Sequence, residues 1–119
     1  MKYSKTHEWV KVDANGTAYI GISDYAQKEM GDIVYVELPE IGKSLTIGCD
    51  ACELESVKAV APVESPVSGE ISEVNAQVEE DPSVVNHDAE NCWLFKVENA
   101  LLSGDLMDEE EYANYLKTL

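Results

Sequence analysis

The sequence predicts a mainly β domain with small helices at its edges. Short runs of alternating branched and aromatic residues, such as Ile33 to Leu38 and Trp93 to Val97, are punctuated by Asn-Gly, Pro and Gly turn signals. Helix-period patterning is confined to short stretches and to the C-terminal end. A chain of 119 residues is one domain with room for a single modest core.

Each element follows from its residues. Glu8 to Val12 and Thr17 to Ile22 read as strands joined through Asn15-Gly16, a pair that tolerates the positive φ angles of a type I′ turn. Ser23 or Asp24 caps a short helix to about Met30, and Gly31 supplies its left-handed stop. Ile33 to Leu38 is a strand ended by Pro39, and Ile41-Gly42-Lys43-Ser44 is a turn. Strands at about 51–57 and 59–64 form a hairpin with Lys58 between them, and Gly69 to Val74 follows as another strand. The polar stretch Gln77 to Asn91 holds one short helical candidate, Pro82 to Asn86. In Trp93 to Val97, period-two alternation puts Trp93, Phe95 and Val97 on one buried face. Tyr112, Tyr115, Leu116 and Leu119 fall on one stripe of a terminal helix packed on the sheet, and Asp108 with Glu111 forms its capping box.

Charge and composition exclude several functions. With 24 Asp+Glu against eight Lys+Arg, the formal net charge is −16 and the pI is ≈ 4.2. That balance opposes binding to phosphate backbones, so no nucleic-acid partner is expected. It suits brief encounters with enzymes that carry basic docking surfaces, because charge attraction speeds association more than it tightens it. No run approaches the roughly 18 apolar residues of a membrane span. The opening Met1-Lys2-Tyr3-Ser4-Lys5 has neither a signal-peptide core nor an arginine-rich amphipathic face, so the expectation is a soluble, cytoplasmic monomer.

Three cysteines, Cys49, Cys52 and Cys92, do not make a disulfide framework. Cys49-Asp50-Ala51-Cys52 has C-x-x-C spacing, but it runs into a strand, where residues three apart point to opposite faces. Neither a redox couple nor a metal site is expected, and His7 and His87 are too scattered to complete one. No nucleophile–base constellation or phosphate-cradling glycine loop marks an enzyme.

The informative residue is Lys58, in Glu53-Leu54-Glu55-Ser56-Val57-Lys58-Ala59-Val60-Ala61-Pro62. A lysine at a tight hairpin tip is solvated, and its ammonium projects away from the body, open to acylation. The motif Glu55-Ser56-Val57-Lys58-Ala59, followed by Ser65-Pro66-Val67-Ser68-Gly69-Glu70, resembles the lipoyl-lysine hairpin of the glycine cleavage system H protein family. The likeness continues in Thr6-His7-Glu8-Trp9-Val10, in Ile20 to Gln27, in Gly31 to Gly42, in Asp81-Pro82-Ser83-Val84-Val85-Asn86 and in Glu111-Tyr112.

The resemblance implies a lipoyl/biotinyl-domain-like fold, a flattened β sandwich or hybrid barrel, with the lysine hairpin protruding at one end. It implies lipoate as an amide on Lys58, a tether on the order of 13 Å long. Biotin carriers present lysine on a similar hairpin but between methionines, whereas Val57 and Ala59 flank Lys58. Glu55, three before the lysine, matches the acidic residue that lipoate-attaching enzymes read. The implied partners are the pyridoxal-phosphate glycine decarboxylase (P protein), the folate-dependent aminomethyltransferase (T protein) and the flavin dihydrolipoyl dehydrogenase (L protein). Between them the arm carries an aminomethyl group, and the protein itself is a non-catalytic carrier. Glu8 matches the family's cleft carboxylate. Many members place another acid four residues after the lysine, where this chain has Pro62, and Glu64 is the nearest acid. The alternative is an H-like carrier serving lipoate relay or another lipoate-dependent pathway.

Overall fold

The computed structural model describes residues 1–119. Nine strands and four short helices form two antiparallel sheets. In chain order they are β1 (Lys2–Tyr3), β2 (Glu8–Val12), β3 (Ala18–Ile22), α1 (Asp24–Met30), β4 (Ile33–Glu37), β5 (Ser44–Leu45), β6 (Asp50–Ser56) and β7 (Val60–Glu64). There follow β8 (Val67–Val74), α2 (Ala76–Glu80), α3 (Val84–His87), a 3-10 turn (Ala89–Asn91), β9 (Phe95–Leu102) and α4 (Glu109–Leu116). The six-stranded sheet runs β1-β2-β3-β9-β8-β5, and the three-stranded sheet runs β4-β6-β7. The expected sandwich is present, and its sheets do not close into a barrel.

Alternation along each strand explains the core. Ile20, Val36, Leu54, Val63, Ile71 and Phe95 point inward from both sheets and are almost fully buried. A second, smaller cluster of Tyr3, Trp9, Met107 and Tyr112 lies under α4. Each large side chain buried this way contributes roughly 1.5–3 kcal/mol. The terminal helix carries the expected capping box, with Asp108 accepting from the Glu111 N–H and Glu111 accepting from the Asp108 N–H. It ends at Leu116, so the predicted stripe is shorter: Tyr112 is buried and Leu119 is exposed.

Four local expectations are corrected. The first hairpin is not a type I′ turn, because Asn15 keeps a negative φ and only Gly16 (φ 80) is left-handed. Asp13 Oδ1 organises that turn by accepting from the Asn15 and Thr17 N–H groups at 2.9 and 3.0 Å. Trp93 precedes β9 and is only half-buried, since Leu94 takes the inward place and Phe95 opens the strand. Its ring packs edge-on against Tyr19, under the Lys96 ammonium. The polar stretch holds an unpredicted helix, α2, which Asn75 caps through the Gln77 N–H. Finally, Cys49 sits in the bend before β6 while Cys52 lies within it, and both border the same core. Strand alternation therefore does not separate these two thiols; both are free, and burial pushes Cys52 up to about 12.

Candidate functional site

Lys58 occupies the tip between β6 and β7, as the sequence predicts, and is exposed. The turn is closed by the Ser56 N–H donating to the Ala59 carbonyl at 2.8 Å. The Ser56 hydroxyl adds a second clasp, accepting from the Lys58 and Ala59 N–H groups at 3.2 and 3.1 Å. Lys58 belongs to neither of the two ion pairs in the protein, Lys28–Asp24 and Lys96–Glu73.

The tip is nevertheless not free. The Val57 N–H donates to the Asp32 carbonyl at 3.1 Å, which joins the hairpin to the turn between α1 and β4. The lysine stem lies back over Gly31, so close that a Cβ there would sit 2.9 Å from Lys58 Cε. This corrects the picture of a side chain projecting straight into solvent. Glu55 is half-buried within β6, between Tyr35 of β4 and Val60 of β7.

A cleft of ≈ 300 Å³ opens between the α1 side of the molecule and the edge strand β7. His7, Glu8, Tyr25, Met30, Ala61 and Pro62 are among the residues that line it. Pro62 is four residues beyond Lys58, and a strand rises about 3.3 Å per residue. The cleft wall therefore lies about 13 Å from the tip, which is the reach of an acylated lysine arm.

Two acids line this cleft, Glu8 and Glu29, and Glu8 is the buried one, only 3% exposed. Its carboxylate accepts from the Ser4 hydroxyl at 2.6 Å and from the Thr6 hydroxyl. Burial raises it to about 7, with a smaller push from the Glu64 charge, against the pull of those two hydroxyls and of the Glu64 backbone N–H. Glu8 is thus poised between neutral acid and carboxylate near neutral pH. The Glu64 side chain does not line the cleft itself; it lines an adjoining depression with Ser4, Lys5 and Gly48, close enough for its charge to act on Glu8. Pro62 supplies the wall where an acid was sought, and no charge.

Sequence reasoning missed His7, Met30, Gly31 and Asn86. His7 has a positive φ of 74 and packs at a tilt against Tyr25, while its Nδ1 meets the Tyr112 hydroxyl at 2.8 Å. Burial lowers its proton affinity, opposed by Glu29. The Tyr112 hydroxyl also meets Ser23 Oγ, the N-cap of α1, at 2.7 Å, so α4 braces the cleft wall. Gly31 was legible only as a helix end, and His7 and Asn86 only as members of the stretches of family likeness, with no signal of a place at the site.

A two-sheet β sandwich with an unpaired lysine on a clasped hairpin defines a carrier domain of the lipoyl/biotinyl class. Residues 1–119 match the family model described as glycine cleavage H-protein. The chain is 51% identical to a "probable glycine cleavage system H protein" of Pyrococcus horikoshii, covering 100% of this chain and 91% of that protein. It is 50% identical to the glycine cleavage system H protein of Rhodospirillum rubrum, covering 100% and 97%. The crystal structure of a glycine cleavage system H protein from Mycobacterium marinum superposes with a TM-score of 0.89 at 33% identity, covering 99% of this chain and 96% of that one. This chain belongs to the glycine cleavage H-protein family, whose members are lipoyl carriers of the glycine cleavage system and not catalysts. No helix is long and apolar enough to cross a membrane.

Proposed function

We propose that this protein bears lipoate as an amide on Lys58 Nζ and presents it to the glycine decarboxylase, the aminomethyltransferase and the dihydrolipoyl dehydrogenase in turn. The observation that carries the reading is an exposed lysine, unpaired and clasped by Ser56, one arm's length from a cleft holding a buried carboxylate. When bound, lipoate supplies a dithiolane whose sulfurs accept and release the cargo and are then reoxidised by the partner enzymes. Forming the amide removes the Lys58 charge, leaving a neutral tether. Glu55 presents the acidic side chain that lipoate-attaching enzymes read, held in place by its strand neighbours.

Glu8 serves the cationic amine of the cargo. With its ordinary affinity raised to about 7, Glu8 exists in both forms near neutrality, and an arriving cation favours the carboxylate. The Ser4 and Thr6 hydroxyls hold that carboxylate in one orientation. Met30, Ala61 and Pro62 give the cleft an apolar wall beside it.

Mass analysis tests the assignment. Protein made with lipoate and an attaching enzyme is expected to gain the mass of one lipoyl group, and Lys58→Ala to gain none. A gain that persists in Lys58→Ala would sink the site. Pro62 favours one second reading, a carrier in lipoate relay, because the cleft lacks an acid there. Protein that loads with lipoate yet fails to support glycine decarboxylation points to that role.

A further inference from the structure

The geometry points to Asn86 as a positioning residue for the carrier arm, acting through the turn between α1 and β4. Its amide makes three hydrogen bonds of 2.9 Å. Oδ1 accepts from the Ile33 N–H, and Nδ2 donates to the Gly31 carbonyl and to Gln27 Oε1. Asn86 lies on α3, and its three partners run from α1 to the start of β4. One side chain therefore fixes both ends of the Gly31-Asp32 connection.

That connection is what the lysine hairpin rests on. Asp32 accepts from Val57, and Gly31 lies under the Lys58 stem. Gly31 has φ 77 and ψ −158, a conformation that essentially only glycine adopts, so the seat needs both the missing Cβ and an external clamp. The residue before Gly31 is Met30, a wall of the cleft that receives the arm. Asn86 thus holds the seat that starts the stem beside the groove. Losing it leaves the Ile33 N–H without its partner and frees the connection. The lysine then pivots more widely, and the arm spends more time in solvent.

The inference rests on Lys58 being the arm's attachment point, and the test separates the two questions. In unlipoylated protein whose amines are reductively methylated with 13C, the Lys58 dimethylamine resonance of Asn86→Ala is expected to narrow and move toward that of a solvated lysine. An unchanged resonance overturns the proposal, whatever Lys58 carries. In lipoylated, reduced protein, alkylation of the arm by iodoacetamide, read on the Lys58 peptide, is expected to quicken severalfold in Asn86→Ala. Asn75→Ala is the control for simple destabilisation. It also removes a helix-flanking amide, bonded to the Trp93 carbonyl and the Gln77 N–H, away from the seat. Equal acceleration in both variants would mean that Asn86 acts only through stability and would overturn the inference.

Discussion

The protein contains two hairpins built on similar local chemistry, and only one of them is tied down. In the β2–β3 hairpin, Asp13 Oδ1 accepts two backbone N–H groups and Gly16 makes the left-handed step. A Cβ on Gly16 would meet nothing within 4 Å, so the turn stands clear of the body. In the β6–β7 hairpin, Ser56 Oγ likewise accepts two N–H groups, but no residue of the turn has a positive φ. Instead Val57 is bonded to Asp32 and the Lys58 stem lies on Gly31. A side-chain clasp makes a turn; contact with a second, clamped turn gives its tip a direction. A carrier lysine needs both, because an arm about 13 Å long amplifies any freedom at its root.

The largest way to sharpen the contrast is at Glu8, where the two hairpins face one another across the cleft. Its affinity is raised from 4.5 to about 7 in the folded protein, so folding binds its proton more tightly than the unfolded chain does. The associated stability is fully present below pH 4.5 and is lost as pH rises through about 7, by up to about 3 kcal/mol. Glu8→Gln carries no such titration. The stability of the variant relative to the parent, measured by urea unfolding, is expected to rise across that window. Parallel profiles would show that Glu8 is not held in its neutral form.

A smaller effect distinguishes the clasps. Ser56→Ala and Asp13→Ala each remove an acceptor for two N–H groups, and each is expected to cost about 1 kcal/mol by denaturant titration. Only Ser56→Ala should slow lipoate attachment at Lys58 under an attaching enzyme. If Asp13→Ala slows it as much, the two turns are functionally alike and the contrast fails.

The smallest expected change is Pro62→Asp. A carboxylate at this exposed edge position adds less than about 1 kcal/mol of attraction for a docked cationic amine. Release of the aminomethyl group from the loaded arm is expected to slow by a few-fold at most. Equal release rates would mean that docking does not depend on a carboxylate at position 62.

The lysine tip, the acidic residue before it, the terminal capping box and most strands were legible because each is a local pattern. Asp108 and Glu111 are three residues apart, and their mutual hydrogen bonds need nothing else from the fold. Trp93 was misplaced because alternation was extended one step too far, into a segment whose inward position belongs to Leu94. The Asn15-Gly16 turn was misassigned because Asp13, two residues upstream, competes for the same N–H groups.

Local chemistry in the chain determined that a solvated lysine sits between two strands of an acidic β domain, and the run of motifs identified its family. Tertiary structure alone decided the surroundings of that lysine. The burial of Glu8 depends on β7 lying across from the N-terminal segment, and the seat depends on Asn86 crossing 53 residues to Ile33. Proton affinity and arm direction are properties of dielectric and contact, which arise between segments distant in sequence.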